Sequence, residues 1–325
     1  MRYLVIGLGS MGKRRIRCLK KLGYNNIIGF DIREDRMNEA KKLYDIEIIK
    51  NMESVKEIDV VIISTPPDKH IEYALWAIEN SYPVFIEASV ILEHSIKIRE
   101  FLIKNKKEDA IICPSCTLKF HPVIKDIKNI VQSGKWGKLS NFSYHSGQYL
   151  PEWHPWENIK DYYVSKKATG GAREIVPFEL TWLCDIFGYP ESVKGFFGKT
   201  IDLDCDIDDT YVVSLKFKEG FGSLLVDVVS RFATRKLTLN LEYAQISWDW
   251  NERLLKLYDA KNKRFINIEQ PSGENIAGYN VNIIEDMYIE EIEHFIGHIK
   301  KEKKFPNTLD NDIKILEILK EIEIS

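Results

Sequence analysis

The sequence has little cysteine, little net charge and no long apolar run. Its 325 residues include five cysteines, an odd number scattered along the chain, which argues against a disulfide framework and predicts a reducing, cytoplasmic location. The formal net charge of −3 gives no reason to expect nucleic acid or an anionic membrane surface as a partner. No apolar stretch approaches the length of a membrane span, and the N-terminus enters a strand pattern at once, which argues against a signal peptide.

The sequence also lacks groups of residues with metal-ligand spacing. His294 and His298 stand four residues apart in a helical segment, but no third ligand accompanies them, so we expect no metal site. Cys113 and Cys116 form a C-x-x-C without a second pair for zinc. Their context favours the end of a strand over a redox-active pair.

A glycine-rich turn lies close to the start of the chain. An apolar run leads into Gly7-Leu8-Gly9-Ser10-Met11-Gly12, a G-x-G-x-x-G pattern that opens a helical segment. The first glycine allows the tight turn, the second lets a pyrophosphate approach the backbone, and the third lets helix and strand pack closely. The N–H groups of the first helical turn can then bind the phosphates. This pattern predicts a dinucleotide site.

A second apolar run ends in Asp31, roughly 20 residues past the glycines, where a carboxylate can accept hydrogen bonds from ribose hydroxyls. Its negative charge lies where the 2′-phosphate of NADP would bind, so we expect NAD rather than NADP. Arg33 and Arg36 could compensate that charge, which leaves NADP as the alternative.

The two parts of the chain have different strand patterns. Repeated strand–helix units predict a doubly wound parallel sheet of the Rossmann type over residues 1–118. Consecutive long strands joined by tight turns predict an α+β domain with a mostly antiparallel open sheet over residues 119–325. In a parallel sheet, ligands bind at the carboxyl ends of the strands. Besides Gly7–Gly12 and Asp31, those ends lie at Ser64–Pro67 and Glu87–Ser89.

Several motifs together resemble the Gfo/Idh/MocA family, named after glucose–fructose oxidoreductase and inositol dehydrogenase, over nearly the whole chain. Besides the glycines and Asp31 they are Ser64-Thr65-Pro66-Pro67 with His70, Lys119-Phe120-His121-Pro122, the aromatic segment Tyr149–Glu157, Tyr163, Lys167, Gly170-Gly171 and Met287-Tyr288. The resemblance implies an NAD-dependent oxidoreductase acting on a sugar or nucleotide sugar in carbohydrate or surface-glycan metabolism. It also implies a homo-oligomer, a dimer or tetramer, built on the C-terminal sheet.

From the dinucleotide motif and the resemblance, we expect the cofactor to be bound at the strand ends of the first domain. The expected cofactor-binding residues are Gly7, Gly9, Ser10, Met11, Gly12, Asp31, Ile32, Arg33, Ser64, Thr65, Pro66, His70, Glu87 and Ala88.

The chain departs from the family at two positions. The family carries a lysine in an E-K-P segment after its fifth strand, and this chain has Glu87-Ala88-Ser89 there. The family also places a histidine four residues after an acid, whereas here Phe178 follows Glu174. Neither alanine nor phenylalanine can transfer a proton. The usual catalytic lysine and histidine are therefore absent.

Other ionisable residues must then supply the chemistry if the protein is an enzyme. By resemblance, the segment 149–169 and the helix start at Arg173-Glu174 form the wall of the cleft that faces the nicotinamide. We expect His154 or Lys167 to transfer the proton, Glu174 to orient the substrate, and Lys119, Tyr163 and Arg173 to bind the substrate.

Simpler roles stay open for these residues. His154 could stack among tryptophans, Lys167 could be solvated, Glu174 could interact with the positive end of a helix, and Arg173 could form a surface ion pair. Two other functions also stay open: a cofactor-binding subunit without catalysis, and an enzyme that uses tightly bound NAD transiently in an isomerisation or elimination.

Overall fold

The computed structural model describes residues 1–153, 158–271 and 284–325. Its strands are β1 (Tyr3–Ile6), β2 (Ile27–Phe30), β3 (Glu47–Ile48), β4 (Val60–Ile63), β5 (Val84–Ile86), β6 (Ile112–Pro114), β7 (Leu139–Tyr149), β8 (Ser192–Gly198), β9 (Thr210–Lys216), β10 (Phe221–Asp227), β11 (Val229–Leu241), β12 (Ala244–Asp249), β13 (Leu254–Asp259) and β14 (Arg264–Glu269). Its helices are α1 (Ser10–Lys21), α2 (Glu34–Tyr44), α3 (His70–Glu79), α4 (Leu92–Lys104), α5 (Pro122–Gln132), α6 (Ala172–Phe187), α7 (Glu285–Ile299) and α8 (Leu309–Ile324).

Close contacts divide the chain into two compact units. The first comprises Met1–Thr117 with Glu285–Lys314, and the second comprises Leu118–Ile284 with Ile315–Ser325. The predicted division into residues 1–118 and 119–325 stays a prediction. The compact units differ from it because Glu285–Lys314 clusters with the N-terminal part.

The first unit is built on a parallel sheet. Six of the described strands form it in the order β3-β2-β1-β4-β5-β6, and every pair in it is parallel. The strands β1 and β4 are wholly buried, which agrees with their continuous Val, Ile and Leu runs because helices cover both faces of such a sheet. The predicted Rossmann fold is confirmed.

The second unit is built on a larger, mostly antiparallel sheet. Eight of the described strands form it in the order β14-β13-β12-β11-β7-β10-β9-β8, with one parallel pair, β10 and β7. Burial alternates along β9, as expected when one face of a sheet is covered. The predicted α+β domain is therefore confirmed, although the sequence patterns gave no expectation of β14 or of the parallel pair.

None of the helices in the described ranges is long and apolar enough to cross a membrane. Over the same residues, no group of three or more histidine, cysteine, aspartate or glutamate side chains could hold a metal ion.

Candidate functional site

The glycine turn between β1 and α1 has the shape that close backbone packing requires. A Cβ added to Gly12 would lie 1.8 Å from the carbonyl oxygen of Gly7, so only glycine fits there. At Gly9 an added Cβ would meet only the guanidinium of Arg36, at 3.3 Å. Gly9 therefore presents bare backbone at the start of α1, where helix N–H groups bind anions.

Two neighbouring strand ends add polar groups to this turn. The Asp31 carboxylate accepts hydrogen bonds from the backbone N–H groups of Leu8, at 2.6 Å, and Arg33, at 2.9 Å. Since each carboxylate oxygen has two acceptor sites, Asp31 can still accept from ribose hydroxyls. The Thr65 hydroxyl is enclosed and has no hydrogen-bond partner among the described residues, which marks a position for a ligand.

His70 holds the backbone of the Ser64–Pro66 segment. Its Nε2 lies 2.9 Å from the carbonyl oxygen of Thr65. Burial lowers the pKa of His70 to about 4, so the ring is neutral near pH 7. Because a carbonyl oxygen only accepts, Nε2 carries the proton. His70 thus positions this segment through its backbone.

The Glu87 carboxylate is bound by a buried arginine. Arg15 donates from Nε and from one terminal nitrogen to the two Glu87 oxygens, at 2.6 and 2.9 Å. Its other terminal nitrogen lies 2.8 Å from Glu291, and neither Arg15 nor Glu291 is exposed. Burial raises the pKa of Glu291, and the charge of Arg15 opposes that rise. This cluster fixes the end of β5, directly before Ala88.

The remaining predicted cofactor residues line the same strand ends. Ser10 and Met11 begin α1, and the Ser64 hydroxyl donates to Glu87 at 3.3 Å. Ile32 is 83% exposed, and the Arg33 guanidinium binds Asp35. The open backbone at Gly9, the remaining acceptor capacity of Asp31 and the enclosed Thr65 hydroxyl together fit a dinucleotide cofactor.

In the second unit, Tyr163 and Glu174 form a hydrogen-bonded pair. An added Cβ at Gly170 would lie 2.0 Å from the carbonyl oxygen of Val164, so glycine is what lets the Tyr163–Ser165 turn approach the start of α6. The Tyr163 hydroxyl donates to Glu174 Oε1 at 2.7 Å. Glu174 Oε2 is enclosed and has no hydrogen-bond partner within the described ranges. Burial raises the pKa of Glu174 to about 7, and the bond from Tyr163 opposes that rise.

A second buried carboxylate on α6, that of Glu179, differs from Glu174 in its hydrogen bonding. Glu179 is fully buried, yet four groups donate to it: the Tyr144, Ser146 and Trp182 side chains and the guanidinium of Arg235, at 2.8 to 3.0 Å. Both Glu179 oxygens are therefore satisfied within the fold, as a structural buried carboxylate requires. Glu174 differs because one of its oxygens is left for another donor.

The other predicted catalytic and substrate residues lie in ion pairs or outside the described part. Lys167 is 61% exposed and lies 3.4 Å from Asp208, which places its ammonium group at the surface beside a carboxylate. Arg173 directs two nitrogens at Glu323, at 2.6 and 3.2 Å, which favours the ion-pair role. His154 lies outside the described residues.

Lys119 lies near the opposite end of α6 from Glu174. It pairs with Asp185 at 3.4 Å, and Asp185 follows Glu174 by 11 residues on the same helix, a rise of about 16 Å. The structure therefore brings Tyr163 to Glu174 but does not bring Lys119 there. The roles of these residues in binding or catalysis stay predictions.

Sequence reasoning did not find Arg15, Glu291 or Glu179. One signal for Arg15 was available, because it lies four residues before Leu19 and so falls on the buried face of α1. A charged residue on such a face needs a buried partner. Nothing local in the sequence indicates that this partner is Glu291, 276 residues further on.

Comparison with known families agrees with this architecture. Residues 1–96 match the oxidoreductase family with an NAD-binding Rossmann fold, and residues 124–244 match the GFO/IDH/MocA C-terminal domain. The protein is thus an NAD-binding oxidoreductase. The two matches together cover more than half of the sequence, and the chain belongs to the Gfo/Idh/MocA family. The predicted family and cofactor are confirmed. No match was found among curated proteins.

Solved structures share the whole fold at low identity. An oxidoreductase from Agrobacterium radiobacter, solved with NAD+, L-tartaric acid and magnesium, superposes with a TM-score of 0.85 at 12% identity, covering 100% of this chain and 96% of its own. Levoglucosan dehydrogenase, solved with NADH and levoglucosan, superposes with a TM-score of 0.84 at 15% sequence identity, covering 100% of this chain and 96% of its own. An NAD-binding oxidoreductase from Klebsiella pneumoniae superposes with a TM-score of 0.81 at 13% sequence identity, again covering 100% of this chain and 96% of its own. At these identities the likeness shows the fold alone.

Proposed function

We propose that this oxidoreductase acts on a hydroxyl group of a sugar or nucleotide sugar, and that Glu174 is its proton-transfer group. The observation that carries the proposal is the Glu174 carboxyl itself. It is enclosed, it accepts one hydrogen bond from Tyr163, and its Oε2 has no partner among the described residues. A general acid–base group requires such a free oxygen and a pKa near the working pH.

The proton balance follows from the reaction class. When bound, NAD would supply the acceptor for the hydride that leaves the carbon carrying the hydroxyl. That hydroxyl must lose its proton as the carbonyl forms, and ionised Glu174 accepts the proton at Oε2. In the reverse direction, protonated Glu174 returns the proton to the new alkoxide. A positioned acid–base group contributes about 10²–10⁴-fold to such a reaction.

Tyr163 supports this role by donating to Glu174 Oε1. The bond stabilises the ionised form, which keeps the pKa of Glu174 from rising further. It also fixes the direction in which the free oxygen points. Under this proposal Glu174 transfers the proton, instead of only orienting the substrate, and Tyr163 positions Glu174.

The substrate class is proposed from two sources. The family motifs resemble members that act on sugars and nucleotide sugars, and structural relatives were solved with levoglucosan, L-sorbose or L-tartaric acid. All three are small molecules rich in hydroxyl groups. A polyhydroxylated substrate also offers several donors for the unsatisfied oxygen of Glu174.

The test is reduction of NAD in the presence of a panel of sugars and nucleotide sugars, followed at the absorbance band of NADH. Glu174→Gln should lower kcat at least 100-fold while the affinity for NAD, measured by calorimetry, stays unchanged. Glu191→Gln, at an exposed position of the same unit, is the matched control. A Glu174→Gln enzyme with wild-type kcat would overturn the assignment.

Ala88 and Phe178 favour a second candidate function, a cofactor-binding subunit that has lost catalysis. Both positions carry side chains that cannot exchange a proton. The same panel separates the two functions. If NAD binds but no compound reduces it, the subunit function is favoured.

A further inference from the structure

The start of β11 bulges out of the large sheet. Val229 pairs with Tyr149 and Thr234 pairs with Gly147, so the four residues 230–233 stand opposite the single residue Gln148 of β7. Bulges of this kind redirect side chains and occur often beside functional sites. Residues 230–233 are called the β11 bulge below.

Both ends of the β11 bulge are held in place. Asp227 accepts from the backbone N–H groups of Val229, at 3.0 Å, and Ser230, at 2.8 Å, and from the Ser230 hydroxyl at 3.0 Å. His145 approaches the same carboxylate at 2.6 Å. At the other end, the carbonyl oxygen of Ala233 accepts from the Asn251 side chain at 3.2 Å. The bulge is therefore a built feature with a fixed shape.

The bulge presents an arginine stacked on an aromatic ring. The Arg231 guanidinium lies 3.7 Å from the centre of the Tyr149 ring, which restricts the side chain while leaving its N–H groups at the surface. Over the described residues, neither an ion pair nor a hydrogen bond engages this guanidinium. Beside it, Phe232 is 69% exposed. A fixed guanidinium matches the oxygens of a phosphate, and an exposed phenyl ring offers a stacking surface for a base.

This surface is connected to Glu174 by backbone hydrogen bonds within one unit. Ala172, in the first turn of α6, donates to Asp208; Val228 donates to Asp209; and Leu150 donates to Val228. Two of these bonds, of roughly 4.8 Å each, lie on the path from Ala172 to the bulge, together with the covalent steps from Asp208 to Asp209 and from Val228 to Ser230. The start of α6 and the start of the bulge therefore lie within about 21 Å. A sugar joined to a nucleoside through a diphosphate can extend over such a separation.

From these observations we infer that Arg231, Tyr149 and Phe232 form a subsite for the nucleoside diphosphate portion of a nucleotide-activated sugar. Arg231 binds the diphosphate oxygens, Tyr149 orients Arg231, and Phe232 stacks on the base. This inference rests on the proposed function for the position of the sugar at Glu174. The binding step itself involves no bond making or breaking.

Calorimetry on the NAD-saturated protein tests the subsite, because saturation prevents nucleotides from entering the cofactor site. The probes are UDP, GDP and inorganic pyrophosphate. At least one nucleoside diphosphate should bind, and Arg231→Ala should weaken that binding 10–100-fold. Arg264→Ala, at another exposed arginine of the same unit, should leave it unchanged. Phe232→Ala should weaken binding of the nucleoside diphosphate but not of pyrophosphate.

Two results would overturn the inference. One is the absence of binding by UDP and GDP at about 1 mM. The other is an Arg231→Ala protein that binds UDP and GDP with the affinity of the wild type. This holds also if the substitution changes the oligomeric state, because nucleotide binding would still not depend on Arg231. The outcome is independent of the redox test. Nucleotide binding without NAD reduction would refute the proposed function alone, and oxidation of a free sugar without nucleotide binding would refute the subsite alone.

Discussion

Replacing Glu174 by glutamine should stabilise the protein at high pH while removing its activity. The folded protein holds the pKa of Glu174 at about 7, against an ordinary value of 4.5. Between these two values the folded state keeps the proton and the unfolded state has released it, so the stability contributed by the protonated carboxyl falls as pH rises. It is fully present below pH 4.5 and lost above about pH 7.

The size of the effect follows from the difference between the two pKa values. One pKa unit corresponds to about 1.4 kcal/mol, so the wild type should lose about 3 kcal/mol relative to Glu174→Gln between pH 4.5 and pH 8. All other titrating groups are common to both proteins and cancel in the comparison. A gain in stability at the cost of activity is typical of a strained catalytic group.

The assay is urea unfolding of both proteins at pH 4.5 and pH 8, followed by tryptophan fluorescence. The change in the stability difference between the two pH values is the quantity of interest, and Glu191→Gln should show no such change. If Glu174→Gln and the wild type keep a constant difference over this range, Glu174 is not held protonated by its surroundings. Glu174 would then lack the pKa that a proton-transfer group needs near neutral pH.

Three further predictions concern other parts of the molecule. Arg15→Met should destabilise the protein by about 3–5 kcal/mol, because it leaves the Glu291 carboxylate buried without its partner; an unchanged melting temperature would contradict this. Calorimetric titration should show tighter binding of NAD than of NADP because of Asp31, and the reverse order would refute that preference. The protein should form a dimer or tetramer through the exposed face of the large sheet, where Phe196 and its partner Val212 are 85% and 50% exposed. Val212→Asp should shift it towards the monomer in light scattering, and a wild-type monomer at micromolar concentration would exclude the interface.

Local pattern was enough to predict a parallel sheet in the first unit and a mostly antiparallel sheet in the second. The continuous apolar runs of β1 and β4 indicate strands covered on both faces, and the tight turn at Gly220 indicates an antiparallel pair. The strand β14 was missed because its side chains are mostly exposed and its sequence lacks a clear apolar alternation. The parallel pairing of β7 and β10 was missed because it joins segments far apart in sequence.

The candidate site could be predicted only where a motif supplied the spacing. The family pattern indicated Glu174 as a site residue. Its hydrogen bond from Tyr163, which leaves Oε2 without a partner among the described residues, depends on the close approach that Gly170 allows and could not be predicted. The ion pair of Arg173 was one of two open alternatives, and sequence could not decide between them because Glu323 is 150 residues away. The sequence did not indicate a role for Arg231. Its stacking on Tyr149 depends on the bulge, and the bulge depends on how β11 pairs with β7, which local sequence does not specify.

The buried cluster of Arg15 also constrains the order in which the protein can fold during synthesis. Arg15 leaves the ribosome early, yet its partner Glu291 belongs to a segment made after the whole middle of the chain. At a translation rate of 5–20 residues per second, the interval between Thr117 and Glu291 lasts roughly 10–35 s. During that time the nascent N-terminal part holds a guanidinium whose second carboxylate does not yet exist. The first unit therefore cannot complete its fold until Glu285–Lys314 has been synthesised.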